Sequence, residues 1–156
     1  MGDWSLGNLS VIVQLGNIND SNIGLAVKTK DIRIGRKGPH ITVQEGSNAE
    51  ETIYWPSIAL ENPDRRSAIY AAASAALETA AALKAEKVGF FTMGFEVSRI
   101  PSWEVAEEIV KAIVNHSKTT SGLNSVFLVA SSPIQVSSFQ YALNNIATIV
   151  SQRPTS

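Results

Sequence analysis

Residues 62–93, NPDRRSAIYAAASAALETAAALKAEKVGFFTM, decide the fold. Asn62 offers an N-cap side chain, Pro63 suits the first helical position, and Asp64 puts a negative charge near the positive end of the helix dipole. From Arg65 to Glu86 nothing breaks the helix, and alanine, the best helix former, dominates. Ile69, Ala73, Ala76, Ala80 and Leu83 recur at spacings of three and four, predicting one apolar stripe whose small side chains let the backbone lie close to a sheet. Ser74, Glu78 and Lys84 fall off that stripe. Lys87–Met93 then reads as a strand with an apolar body, as in parallel sheets buried on both faces.

The same alternation continues downstream. Pro101-Ser102 opens a second helix, with Glu104, Glu107 and Glu108 near its positive end and Lys111 and Lys118 towards its other end. Val105, Ile109, Ala112 and Ile113 form its inward stripe. Ser125–Ala130 is a short apolar strand, and a last helix starts near Pro133 with Val136, Phe139, Leu143, Ile146 and Val150 inward. Upstream, residues 1–60 read as short strands and turns: Leu9–Leu15, Ile23–Val27, His40–Val43 and Thr52–Trp55, with turn chemistry at Asn19–Asn22 and Gly35–Pro39. Their pairing stays open. Helices alternating with apolar strands predict βαβ crossovers. The expected fold is a single α/β domain over residues 1–156, a three-layer α/β/α sandwich with a mixed, mostly parallel sheet.

Composition removes several classes of function. The chain has 156 residues, 44% hydrophobic and 17% charged, enough for a core without metal or disulfide staples. It has no cysteine, so thiolate chemistry and zinc–thiolate sites are out. Thirteen basic and 14 acidic residues give a net charge of −1, so no global field favours nucleic acid or anionic lipid. The two histidines, His40 and His116, are far apart, and no metal site or cofactor is expected. The N-terminal MGDWSLGNL carries an acid and no base before its apolar stretch, unlike a secretory signal. No apolar run approaches the ~20 residues of a membrane span. The expected location is cytoplasmic.

In open α/β sheets ligands sit beyond the carboxyl ends of the strands. Three segments fall there: Gly16-Asn17-Ile18-Asn19, Lys28-Thr29-Lys30-Asp31, and Gly94 to Pro101. Their pattern resembles the macrodomain family, the ADP-ribose-binding α/β module. Gly16–Asn19 resembles the family's Gly-Asp-Ile-Thr turn. Leu25–Asp31 lies where the family has Ala-Ile-Val-Asn-Ala-Ala-Asn. The stretch from Asp64 through Gly94, and then Pro101 to Ile113, is similar to its helix, strand, phosphate loop and following helix. The resemblance implies that ADP-ribose or a related adenine nucleotide is the ligand. It implies that Asn17 accepts from the adenine amino group, that the Ile18 N–H meets the ring, and that Asp31 accepts from the distal ribose hydroxyls. It places Gly94, Phe95 and Arg99 in the phosphate loop.

The chain also departs from the pattern. Where the family has a triple-glycine loop, Ile32-Arg33-Ile34-Gly35-Arg36-Lys37-Gly38 stands; Gly35, Arg36, Lys37 and Gly38 are the phosphate candidates there, binding by charge rather than by bare backbone. The second loop normally reads Thr-Gly-x-Tyr-Gly-x-Pro. Here Gly94 and Pro101 survive, the loop is two residues longer, the second glycine is missing, and Glu96 would repel a diphosphate that Arg99 would attract. Ala130-Ser131-Ser132 replaces the aromatic expected beside the adenine. These departures argue against an efficient hydrolase, for which Asp31 is the sole catalytic candidate. Three readings stay open: a nucleotide-binding module with weak or no hydrolase activity, a scaffold that has lost the nucleotide and binds protein or RNA or forms a homo-oligomer, and an enzyme acting through Asp31. Blander roles stand beside each residue. Phe95 caps the core, Arg65-Arg66 decorates its helix against the dipole, and Trp103 staples the loop to the helix that follows.

Overall fold

Strands and helices follow in the order β1 (Gly2–Leu6), β2 (Leu9–Leu15), β3 (Leu25–Lys28), β4 (Asp31–Arg33), β5 (His40–Thr42), β6 (Glu51–Tyr54), α1 (Arg65–Ala82), β7 (Lys87–Phe91), α2 (Met93–Val97), α3 (Ser102–Ser117), β8 (Ser125–Ala130) and α4 (Pro133–Ala142). A π-helical turn, Leu143–Ala147, extends α4. This computed structural model describes residues 2–16, 23–29, 31–33, 40–42, 49–119 and 121–147. Six strands form one sheet in the order β1-β2-β8-β7-β3-β6. β1 runs antiparallel to β2 across the Gly7-Asn8 turn, where Gly7 takes a φ of 63°. The other neighbours are all parallel. The sequence reading of an α/β sandwich on a mixed, mostly parallel sheet therefore holds.

The pleat sorts the core into two faces. Val11, Val13, Leu25, Val27, Val88, Phe90, Val126 and Leu128 face the helices and join the apolar sides of α1, α3 and α4 in the main cluster. The alternate residues Ala26, Phe91, Phe127 and Val129 build a smaller cluster on the other face, with Ile23 and, at its margin, Ile12 and Ala49. No helix of the described residues packs on that second face; residues 17–22, 34–39 and 43–48 lie outside the description. The alanines of α1 permit close contact: Ala73, Ala76 and Ala80 are buried together with Ile69 and Leu77.

Several expectations from sequence are corrected. Asp64, not Asn62, is the N-cap of α1, because the Asn62 side chain accepts the Asp64 N–H at 2.8 Å in a turn just before it. Leu83 is exposed rather than inward: it caps α1, Lys84 turns left-handed at φ 58°, and Ala85 takes up the buried position beyond the turn. The strand expected over Lys87–Met93 stops at Phe91, since Thr92 leaves the extended conformation (ψ 8°) and Met93 opens α2. Ile23 precedes its strand, the strand expected over His40–Val43 is β5 (His40–Thr42), and β1 and β4 had no signal strong enough to be read.

Arg65 and Arg66 do more than decorate α1. Arg65 forks onto Glu104 with two bonds of 2.8 Å, from Nε to Oε1 and from Nη2 to Oε2. Arg66 Nη2 reaches both Glu107 and Glu108 at 2.6 Å, and Lys111 completes the row on Glu108 at 3.3 Å. Glu104 and Glu108 are buried, and buried carboxylates persist when paired in such bidentate geometry. The acids near the start of α3 thus neutralise the arginines that face the α1 dipole unfavourably.

The Arg65 hydrogen bond holds the Glu104 carboxyl below its ordinary value of 4.5, against the opposing effect of burial. A carboxylate depressed in the folded state adds stability above its unfolded pKa and loses it as pH falls through the folded one. Melting temperature should therefore drop steeply below about pH 4.5. Glu104→Gln should lower the melting temperature by several degrees at pH 7 and flatten the acid limb of a melting-temperature-versus-pH profile.

Candidate functional site

Because β2, β8, β7, β3 and β6 are parallel, their carboxyl ends all open on one rim. Gly16 leaves β2 at a φ of 86°, donates its N–H to Ala130 O at 2.7 Å, and has open space where a side chain would project. Ser131 leaves β8, Thr92 to Ile100 leaves β7, and Lys28-Thr29 leaves β3. The Gly16 turn and the Gly94–Arg99 loop both leave this rim, with the end of β8 between them. Asn17, Ile18, Gly35, Arg36, Lys37 and Gly38 lie outside the described residues. Asp31 opens β4 opposite Thr42 of β5, in a two-stranded sheet of its own.

β3 and β7 are neighbours whose chains leave in opposite directions, β3 to β6 and β7 to β8, which makes their junction the topological switch point. Gly94 and Thr29 meet there. A side chain on Gly94 would fall 2.6 Å from Thr29 Cβ and 2.7 Å from its Cγ2, so glycine is required by close packing of two chain exits. Phe95 belongs to the core, its ring edge-on to Trp55 at 4.9 Å. Its N–H is taken by Thr92 O at 3.2 Å. The Trp55 indole N–H donates to Phe91 O at 2.8 Å, so β6 and β7 are tied at the same level.

The loop closes as a helix cap. Ser98 N–H bonds Gly94 O (2.9 Å), Arg99 N–H bonds Glu96 O (3.0 Å), and Ile100 N–H bonds Phe95 O (3.1 Å). Arg99 sits at a φ of 64°, the left-handed region that glycine occupies without strain. Counted back from Pro101, it stands where the resembled loop has its second glycine. An arginine in the left-handed conformation therefore occupies that position. The exposed Arg99 side chain makes no hydrogen bond or ion pair among the described residues.

A polar knot between β7 and β8 was missed by sequence reasoning. Gln135, nearly inaccessible, accepts the Ser131 N–H at 2.7 Å and donates to Thr92 O at 2.8 Å. The buried Thr92 hydroxyl lies 3.0 Å from both Val129 O and Gln135 Oε1, and the Ser131 hydroxyl donates to the Glu96 carboxylate. The signal was Ser132-Pro133-Ile134-Gln135, a capping-box spacing. Ser132 does cap α4, accepting Gln135 N–H at 3.3 Å, while the Gln135 side chain reaches one residue further back, to Ser131.

Trp103 is not a staple. It is 54% exposed, carries the Arg66 guanidinium 5.1 Å over its ring, and joins Ile134 and Tyr141 along a groove of about 590 Å³ between α3 and α4. The groove is lined by helix residues and not by Gly16, Gly94 or Glu96. His116 lies at the far end of α3, where burial pushes its pKa below the ordinary value against the opposing charge of Glu78. Among the described residues no cluster of three or more acidic or histidine side chains could hold a metal, and no helix is long and apolar enough to cross a membrane.

No family model matches the sequence, and no curated protein is similar to it. Solved structures are. The Oceanobacillus iheyensis macrodomain with ADP superposes at a TM-score of 0.73 with 13% identity, over 95% of this chain and 97% of that one. A mutant of that macrodomain with ADPR gives 0.71 and 14%, over 94% and 98%. The Trypanosoma brucei macrodomain in complex with ADP gives 0.62 and 11%, over 86% and 68%. The chain has the macrodomain fold.

Two substitutions separate packing from chemistry on this rim. Gly94→Ala should cost about 1–3 kcal/mol through overpacking on Thr29, seen as a lower melting temperature without any ligand. Arg99→Gly should gain about 1 kcal/mol by relieving the left-handed residue, raising the melting temperature by about 2–4 °C.

Proposed function

We propose that this chain is a binding module for ADP-ribose or a related adenine nucleotide, with weak or no hydrolase activity. The observation that carries the reading is the rim: a macrodomain fold whose β2, β8, β7 and β3 exits share one edge, with open space at Gly16 beside the Gly94–Arg99 loop. The Oceanobacillus iheyensis macrodomain was solved with ADP and, as a mutant, with ADPR, and the Trypanosoma brucei macrodomain with ADP, which supports this ligand class. Asn17 and Ile18 are assigned to the adenine, Asp31 to the distal ribose, and the Gly94–Arg99 loop, with Arg99 as its cation, to the phosphates. Gly35, Arg36, Lys37 and Gly38 are assigned a supporting phosphate role. Phe95 contributes as packing beneath the loop, its ring being in the core. Binding is favoured over turnover because Asp31, an acceptor without a proton to donate, is the only catalytic candidate.

A second reading, a scaffold for a protein partner, is favoured by the groove of Trp103, Ile134 and Tyr141, whose large apolar side chains stand in solvent.

Thermal melting with ADP-ribose, ADP and AMP separates the two. A ligand at a hundredfold its Kd adds about 2.7 kcal/mol to the folded state. A rise of several degrees with at least one of the three is expected, and smaller for Arg99→Gly with ADP or ADP-ribose. Flat curves with all three, at millimolar concentration, overturn the nucleotide reading in favour of the scaffold.

A further inference from the structure

Glu96 is the one acid in the loop after β7, and the fold holds it over the middle of the rim. The Ser131 hydroxyl donates to its Oε2 across the gap between the ends of β7 and β8. Ser131 is itself fixed, because its N–H donates to buried Gln135 at 2.7 Å and Gln135 holds Thr92 O at 2.8 Å. The carboxylate therefore belongs to a network spanning two strand exits rather than to a free surface side chain. Its Oε1 has no hydrogen-bond partner among the described residues. The side chain of Arg99, the only cation of the same loop, is exposed and makes no hydrogen bond or ion pair among those residues. A fixed negative charge lies inward and a loose positive charge outward.

That order is the reverse of what a diphosphate requires. Unit charges of like sign a few ångströms apart repel strongly where water is partly excluded, and a single exposed arginine, screened by solvent, offsets only part of that. A hydroxyl, by contrast, can donate to the open carboxylate oxygen in a charge-assisted bond.

We propose that Glu96, held by Ser131, is a charge filter that makes this rim select adenosine or its monophosphate over adenosine diphosphates. The filter rests on the adenine-nucleotide reading and narrows it. Glu96 sets specificity by repulsion, one of the two routes by which a site rejects a near relative of its ligand. In the bound state its Oε1 accepts from a ribose hydroxyl, while Ser131 continues to hold Oε2.

Calorimetric titration of the full chain with adenosine, AMP, ADP and ADP-ribose, in magnesium-free buffer, tests this. The wild type should bind adenosine or AMP at least as tightly as ADP or ADP-ribose. Glu96→Gln keeps an acceptor for Ser131 but removes the charge. It should raise the affinity for ADP and ADP-ribose about tenfold or more while weakening adenosine, whose ribose hydroxyl loses its carboxylate acceptor. Ser131→Ala, which lets the carboxylate swing into water, should move the diphosphates the same way by less, and carries the comparison should Glu96→Gln fail to fold. A wild type that prefers ADP-ribose to adenosine, or a folded Glu96→Gln whose ADP-ribose affinity is unchanged, overturns the filter and leaves the nucleotide reading standing. No binding of any of the four by any variant removes the nucleotide reading, and the filter with it.

Discussion

Five neighbouring strands running in one direction hold this molecule's candidate chemistry together. A parallel pair cannot be joined by a tight turn, so α1 and α3 must carry the chain back across the sheet between one strand and the next. Every return delivers the next strand exit to the same edge. Gly16, Ser131, Thr92 and Thr29 become neighbours for that reason, although they are scattered through the sequence. The helices can lie close enough because their contact is made through alanines and because the Arg65–Glu104 and Arg66–Glu107/Glu108 pairs fix α1 against α3.

Packing and chemistry compete along this edge. At the switch point, where an α/β sheet usually leaves a crevice, Thr29 fills the space against Gly94. Further along, Thr92, Gln135 and Ser131 satisfy one another rather than pointing polar atoms at a ligand. At Gly16, by contrast, a side chain would project into open space.

Charge gives the rim its individual character. Arg99 holds a left-handed backbone conformation that glycine would adopt without strain, an arrangement that costs stability and brings a cation to the loop. Glu96 turns the opposite way and is anchored. The macrodomain fold thus accommodates a loop after β7 with its own charge arrangement, alongside identities of only 11–14% with the solved macrodomains.

Local periodicity and helix chemistry were legible from the residues alone. The stripe of Ile69, Ala73, Ala76 and Ala80, the apolar body of β7, and the Pro101 and Pro133 helix starts each depend on neighbours within a turn or two. They were enough for the α/β alternation and for placing Gly16 and Gly94 at strand ends. Short elements such as β1 and β4 escaped because three to five residues carry too little pattern. The tertiary structure alone decided that Arg65 and Arg66 pair with Glu104, Glu107 and Glu108, that Phe95 faces Trp55, and that Glu96 meets Ser131. Each contact joins residues separated by 35 or more positions. Nothing in local sequence encodes such a meeting; it exists only once the crossovers have set which strand ends lie side by side.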